Sequence, residues 1–160
     1  NAAHQATFKE IQDIEDEEWD LTFRVNIHAM FYLTKAAVPH MKEGGSIINT
    51  ASINSDMPNP TLLAYATTKG AIQNFTAGLA QLLAKKGIRA NAVAPGPIWT
   101  PLQVSSGQPK EELPEFGQST PLGRAGQPAE LAPAYVFLAS PESSYVVGET
   151  LNVNGGSPTP

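Results

Sequence analysis

Tyr65 and Lys69 are the two residues whose types and spacing point most directly to chemistry. They stand four positions apart, so both side chains leave the same face if the segment is helical. Free tyrosine has a pKa of about 10, and a neighbouring ammonium group stabilises the phenolate and lowers that pKa. The pair therefore predicts a tyrosine that exchanges protons near neutral pH.

A serine precedes this pair at a position that suits the same reaction. Ser52 lies thirteen residues before Tyr65 and follows an apolar run that contains Ile47 and Ile48. Such a run without polar alternation is typical of a parallel strand that is buried on both faces. A hydroxyl at the end of this strand is expected to bind the same oxygen that Tyr65 would protonate.

In this order and spacing, Ser52, Tyr65 and Lys69 resemble the short-chain dehydrogenase/reductase family. A Tyr-x-x-x-Lys match alone often arises by chance. Further matches occur in the family's order along essentially the whole chain. They are Asn-Ala-Ala at 1–3, Arg-Val-Asn at 24–26, the strand and Pro-Gly loop at 91–100, and the last strand at 148–156.

The resemblance implies a role for each matched residue. Tyr65 would be the general acid or base, and Ser52 would hydrogen-bond the substrate oxygen. Lys69 would hold the nicotinamide ribose and lower the pKa of the tyrosine. Asn26 would hold a water that relays protons to the lysine. The alternative for Asn26 is a core asparagine that satisfies nearby backbone, because a polar group on an apolar helix face is costly unless it is hydrogen-bonded.

The resemblance also implies NAD or NADP as cofactor and a small alcohol or carbonyl compound as substrate. Hydride transfer to a carbonyl carbon leaves an alkoxide, which must receive a proton. Besides Tyr65 and Lys69, the cofactor would contact three places in the chain. These are Asn1 and Ala2 beside the adenosine, Pro95 and Gly96 under the nicotinamide, and Ile98 and Thr100 at its carboxamide. Ala3 stands where the family has glycine.

No Gly-x-x-x-Gly-x-Gly segment occurs in the sequence. In a doubly wound fold this turn follows the first strand and carries the dinucleotide pyrophosphate at a helix N-terminus. We therefore expect residues 1–160 to form a single partial domain, the C-terminal part of a doubly wound parallel-sheet (Rossmann-like) α/β domain. A rival hypothesis is a catalytically incompetent fragment, or an assembly module that binds no cofactor.

The hydrophobic pattern predicts alternating strands and helices. Strands are expected at 47–48, 88–94 and 151–153, and helices at 16–41, 62–86 and 128–140. Asp16 and Thr61 are the candidate N-caps of the first two helices, and Gly87 ends the second. The stretch 95–120 is expected to be irregular with a short helix near 110–116. Within it, 105–109 has the composition of a mobile segment, which is either a substrate lid or a plain surface loop.

Composition excludes several classes of function. A net charge of −5 and a pI near 5.1 argue against a nucleic-acid surface. Scattered basic residues and short apolar stretches argue against membrane binding. The absence of cysteine fits a cytoplasmic protein, and His4, His28 and His40 lack metal-ligand spacing. Small and apolar residues on more than one face of the two long helices predict a homodimer or homotetramer.

Overall fold

The computed structural model describes residues 1–107 and 110–159 of the chain. Three parallel strands form one sheet in the order β1-β2-β3. They are β1 (Ser46–Thr50), β2 (Arg89–Pro95) and β3 (Thr150–Val153), each within two residues of its predicted bounds. Helices connect the strands, so the predicted α/β class with a parallel sheet is confirmed.

The first helical region is made of four consecutive segments with different helical geometries. It consists of α1 (Asp16–Phe23), a π-helical turn (Arg24–His28), α2 (Ala29–Ala37) and a final 3₁₀ turn (Val38–His40). The overall span matches the predicted helix, but the π-helical turn was not predicted. The prediction of Asp16 as the cap is wrong, because Asp16 is the first helical residue and Glu15 precedes it without a side-chain capping bond.

The second helix, α3 (Leu63–Leu83), crosses the sheet beside β2. The prediction of Thr61 as its cap is wrong. Asn59 instead accepts a hydrogen bond from the Thr61 backbone N–H and caps a 3₁₀ turn that leads into α3. At the other end, Gly87 adopts a φ of 68°, a left-handed conformation that glycine adopts at low cost, and the predicted helix end is confirmed.

The third helix, α4 (Pro128–Ala139), lies on the opposite face of the sheet from α3. Successive strand residues point to opposite faces. Asn49 of β1 donates from Nδ2 to Oγ1 of Thr76 in α3, whereas the next residue, Thr50, hydrogen-bonds Tyr135 in α4. The sheet is therefore enclosed between two helical layers, as expected for a doubly wound fold.

The described irregular segments contain several short helical turns. A 3₁₀ turn (Ile11–Asp13) precedes the first helix. Between the second and third helices there are a π-helical turn (Gln103–Gly107) and a 3₁₀ helix (Lys110–Glu115), and the latter confirms the predicted short helix. The predicted mobile segment 105–109 includes residues 108 and 109, which lie outside the described residues.

The core lies where α3 packs on the sheet. Every residue of β2 from Arg89 to Ala94 is buried, in agreement with a strand that is covered on both faces. By contrast, Leu33 of α2 is 72% exposed. Among the described residues, no helix is both long and apolar enough to cross a bilayer.

Candidate active site

Tyr65 and Ser52 lie at the junction of two adjoining cavities. Cavity 1 has a volume of about 610 Å³ and lies towards the segment 112–119. Cavity 2 has a volume of about 400 Å³ and lies towards α4. Four residues line both cavities: Ser52, Tyr65, Gly96 and Gln103. A molecule in either cavity would therefore reach the same two hydroxyl groups.

Ser52 is held in place by the strand that precedes it and by the turn that follows it. It comes two residues after the end of β1, and Ala51 continues the ladder through a bond from its N–H to the Val93 carbonyl. The Ser52 Oγ accepts a hydrogen bond from the Asn54 N–H at 3.1 Å. Because this bond uses Oγ as acceptor, the hydroxyl proton stays available to donate towards Tyr65 or a bound oxygen.

Tyr65 and Lys69 lie on one face of α3, as their spacing predicted. The Lys69 Nζ is 5.3 Å from the centroid of the Tyr65 ring, and it donates a 2.7 Å hydrogen bond to the Thr50 carbonyl. Lys69 is only 3% exposed, and this burial lowers its pKa to about 8. The ammonium group is therefore held at the bottom of the site by the end of β1.

The expected lowering of the Tyr65 pKa is not found. Burial raises the pKa of Tyr65, and a hydrogen bond with the Ser52 side chain opposes that rise only in part. The free energy needed to bury the charged phenolate is larger here than the stabilisation that the hydrogen bond with Ser52 provides. Without a bound ligand, Tyr65 is thus a neutral phenol, which is the proton-donating form.

Asn26 is buried, and its side chain hydrogen-bonds two other segments of the chain, at His4 and at Thr68. It is 2% exposed and lies in the π-helical turn. Its Oδ1 accepts from the His4 N–H, and its Nδ2 donates to the His4 carbonyl and to Thr68 Oγ1. Both amide hydrogens are used, so the side chain has none left for a relay water. These bonds fit the alternative of a core asparagine that satisfies nearby backbone, and the relay role of Asn26 stays a prediction.

The proposed cofactor residues divide between two cavities. Cavity 2 is lined by most of them: Asn1, Tyr65, Lys69, Pro95, Gly96, Ile98 and Thr100. Ala2 instead lines a smaller cavity of about 130 Å³, which Asn1, Asn26 and Lys69 also line. Residues from four separate parts of the sequence therefore meet around Lys69.

Close packing fixes the loop after β2. A Cβ on Gly96 would come within 2.7 Å of the Asn154 backbone, so this position requires glycine. Two residues later, Ile98 forms a parallel bridge with Gly126, through bonds made by the Trp99 N–H and the Pro97 carbonyl. In such a bridge the N–H and C=O of Ile98 itself point away from Gly126. The N–H and C=O of Ile98 are therefore available to other hydrogen-bond partners.

Residues from α4 also line cavity 2, and sequence reasoning missed them. The Tyr135 hydroxyl is 2.8 Å from Thr50 Oγ1, which donates in turn to Asn1 Oδ1. Burial raises the pKa of Tyr135. Pro128, Leu131 and Tyr135 recur at helical spacing on the cavity side. This helical spacing was visible in the sequence, but the spacing does not reveal which face of the sheet the helix covers.

The donor set of cavity 2 suits the nicotinamide and ribose part of a dinucleotide. It offers the ammonium group of Lys69, several hydroxyls and two side-chain amides, which match ribose hydroxyls and a carboxamide. Lys69 is the one basic side chain among the described residues that line it, so it offers little to a pyrophosphate. Over residues 1–107 and 110–159, no cluster of three or more His, Asp or Glu side chains suits a metal ion.

Known proteins resemble this chain over nearly its whole length. A family described as "Enoyl-(Acyl carrier protein) reductase" matches residues 1–157. An uncharacterized oxidoreductase of Escherichia coli K12, YghA, is 54% identical over 155 residues, which are 97% of this chain and 53% of that protein. A glucose and ribitol dehydrogenase of Daucus carota is 52% identical over 157 residues, which are 98% of this chain and 54% of that protein.

A solved structure shows the same architecture. It is a gluconate 5-dehydrogenase from Burkholderia cenocepacia in complex with NADP and tartrate, with a TM-score of 0.86 and 38% identity. The similarity covers 97% of this chain and 61% of that one. The chain thus spans about half the length of the curated relatives it matches.

Proposed function

Because the chain belongs to the short-chain dehydrogenase/reductase family, we propose that it carries the catalytic part of an NAD(P)-dependent oxidoreductase. The reaction would interconvert a hydroxyl and a carbonyl group on a small molecule. The observation that supports this most strongly is the position of Tyr65 and Ser52 between two cavities, with the buried ammonium of Lys69 beside them. Cavity 2 would hold the nicotinamide and its ribose, and cavity 1 would hold the substrate.

The side chains divide the work of proton transfer in this proposal. When bound, the nicotinamide supplies or accepts the hydride. Tyr65 exchanges the proton with the substrate oxygen at its hydroxyl, and Ser52 donates a hydrogen bond to the same oxygen. The raised pKa of Tyr65 keeps the phenol protonated, so it can donate to an alkoxide. Lys69 holds ribose hydroxyls and favours the phenolate that follows proton donation.

The proposal is tested by hydride transfer in the intact protein that contains this chain. Alcohols are supplied with NAD⁺ or NADP⁺, and reduced nicotinamide is followed by absorbance. Tyr65→Phe is expected to lower turnover by a factor on the order of 100 to 10,000. Tyr145→Phe is the control, because Tyr145 is fully exposed and is not among the residues that line cavity 1 or cavity 2.

The opposite result would favour the rival hypothesis of an assembly module without cofactor. No turnover of any alcohol or carbonyl compound with either nicotinamide, in a protein shown to be folded, contradicts the oxidoreductase. Unchanged turnover in Tyr65→Phe contradicts the role given to the phenol but not the reaction class.

We also propose that the protein forms a homodimer or homotetramer through its long helices. Phe31, Tyr32 and Leu33 of α2 are 45–72% exposed, and Leu82 of α3 is 75% exposed. Such apolar side chains gain stability when a second copy covers them. Sedimentation of the intact protein at micromolar concentration is expected to show an oligomer. Leu33→Asp should shift it to a smaller species, and Leu122→Asp, exposed elsewhere, should not.

A further inference from the structure

Cavity 1 has a hydrophilic lining with no basic side chain among its described residues. Ten of its sixteen lining residues carry an amide, hydroxyl or carboxylate group, five of them as amides and two as carboxylates. The carboxylates are Glu112 and Glu115, and both are exposed around the cavity. A lining of this kind is poorly matched to a hydrocarbon chain and repels an anion.

Gln103 supplies a more specific feature, a buried acceptor without a donor. Its Oε1 is buried and has no hydrogen-bond partner among the residues that the structure describes. The residue lines both cavities, so this oxygen lies near their junction, where Tyr65 and Ser52 also lie. A buried acceptor that stays unsatisfied destabilises the empty site, and a ligand that donates a hydrogen bond to it removes this cost.

The polar groups of cavity 1 include both acceptors and donors. Carboxylates accept only, and the Gln103 oxygen accepts. The Gln118 amide donates one of its two Nε2 hydrogens to the Pro114 carbonyl, which leaves its oxygen and the second hydrogen. In Asn54 and Asn59 the Oδ1 atoms already accept, from the Asn59 N–H and from Thr61, so these residues offer donors on Nδ2. A ligand for this cavity must therefore bring both donors and acceptors.

A set of neighbouring hydroxyl groups meets these requirements, because each hydroxyl donates one hydrogen bond and accepts others. Simple aldehydes and ketones bring no donors, and carboxylates or phosphates bring a charge that Glu112 and Glu115 repel. The volume of about 610 Å³ lies within the range of small-ligand pockets and accepts a five- or six-carbon chain.

From these observations we propose that the substrate is an uncharged polyhydroxylated alcohol, and that Gln103 is a specificity-determining residue that accepts a hydrogen bond from a hydroxyl beside the reacting carbon. This inference rests on the proposed function. In the oxidation, the substrate C–H bond breaks with its electron pair moving to the oxidised nicotinamide. The hydroxyl proton passes to Tyr65 in its phenolate form, which the charges of Lys69 and the oxidised nicotinamide would favour, and then to solvent, and a carbonyl group forms.

The test uses three open-chain five-carbon alcohols that differ in one property each. Ribitol is neutral and polyhydroxylated, ribonate adds a carboxylate, and 2-pentanol lacks the additional hydroxyls. With the intact protein and its preferred nicotinamide, kcat/KM for ribitol is expected to exceed the other two values at least ten-fold, about the effect of one unsatisfied buried group. A kcat/KM for ribonate or 2-pentanol equal to or above that for ribitol overturns the inference.

Variants at the two polar features test the assignment of residues. Gln103→Leu should lower kcat/KM for ribitol about ten-fold through KM, with less than a two-fold effect on 2-pentanol. Gln103→Glu, which keeps an acceptor, should retain most of the ribitol activity. The double variant Glu112→Gln, Glu115→Gln should raise activity on ribonate relative to ribitol. Gln81→Leu, on the exposed side of α3, is the matched control.

Each contrary result has a distinct meaning. An equal loss on all three alcohols in Gln103→Leu, or a raised KM for the dinucleotide alone, overturns the role of Gln103. Turnover that favours ribonate or 2-pentanol refutes the substrate class and leaves the proposed function intact. No turnover of any alcohol or carbonyl compound with either nicotinamide refutes the proposed function, and this inference with it.

Discussion

Lys69 and Arg89 are both buried cations, 3% and 8% exposed, yet they are held in opposite ways. Arg89 makes three hydrogen bonds at the C-terminal end of α4: to the Leu138 carbonyl, the Ser140 carbonyl and Ser143 Oγ. A helix C-terminus favours a positive charge. Among the described residues, Lys69 makes one hydrogen bond, of 2.7 Å to the Thr50 carbonyl, and it lines two cavities.

The difference separates a structural cation from a functional one. The guanidinium of Arg89 uses its donors to join β2 to the end of α4, and this compensates the cost of burial. An ammonium group has three donors, and the described contacts of Lys69 use one of them. Although the two cations are similarly buried, Lys69 therefore keeps donors for a ligand. Its burial lowers its pKa.

The largest expected effect is on turnover when Lys69 is replaced. Lys69→Met should lower turnover on the order of 100-fold and weaken cofactor binding, because it removes the charge next to Tyr65. Lys35→Met is a closely matched control. Lys35 also follows an aromatic residue by four positions and lies 6.0 Å from the Phe31 ring centroid, but it is exposed. Steady-state kinetics decide the matter, and equal small effects of both changes would refute a specific role.

The reverse pattern is expected at Arg89, where stability should suffer. Arg89→Met removes three hydrogen bonds that join β2 to the end of α4, and we expect a loss of about 2–4 kcal/mol in the free energy of unfolding. Urea denaturation measures this loss. Arg124→Met is the control, because Arg124 pairs with Glu130 on the surface and such pairs contribute little. A midpoint for Arg89→Met equal to that of the control contradicts the structural role.

A third prediction uses pH to isolate the burial cost of Lys69. Its pKa falls from 10.5 in the unfolded reference to about 8 when folded, so between these values the unfolded chain binds more protons. Stability from this group therefore rises as pH increases from about 8 to 10.5. Relative to Lys69→Met, the unfolding free energy of the wild type should rise by up to about 3 kcal/mol. A flat difference across that range would show that Lys69 is not desolvated.

The smallest effect is expected in dinucleotide binding by the 160-residue chain alone. Cavity 2 offers Lys69 as its one described basic side chain, and Arg89 instead hydrogen-bonds the end of α4. Most of the charge of the cofactor lies on its pyrophosphate. Calorimetric titration with NAD⁺ or NADP⁺ should therefore detect binding weaker than micromolar. Micromolar or tighter affinity would show that these residues bind more of the cofactor than we infer.

The family, the α/β class and the element order were predictable from the sequence. Buried parallel strands produce apolar runs, helices produce recurring apolar positions, and Gly87 takes the left-handed conformation that ends α3. The family resemblance, confirmed by the comparisons, was visible because Ser52, Tyr65 and Lys69 keep their spacing along the chain. The π-helical turn at Arg24–His28 was not predictable, because no residue type marks it.

The site itself was only partly predictable. Asn26 was known to need hydrogen bonds, but its partners, His4 and Thr68, lie 22 and 42 residues away. The orphaned oxygen of Gln103 depends on how the segment after β2 folds back over the cavities. Tyr135 was missed because its contact with Thr50 spans 85 residues. Each of these features depends on chain segments that meet only after folding.

By itself, the sequence determined that Tyr65 and Lys69 share one helix face and that Ser52 follows a buried strand, since helix and strand periodicity are local properties. Only the tertiary structure decided the chemistry of these groups. It raises the pKa of Tyr65 instead of lowering it. It leaves Lys69 with donors for a ligand after its one hydrogen bond to Thr50, whereas Arg89 donates to the end of α4. Desolvation and hydrogen-bond partners come from distant residues, and local spacing carries no information about them.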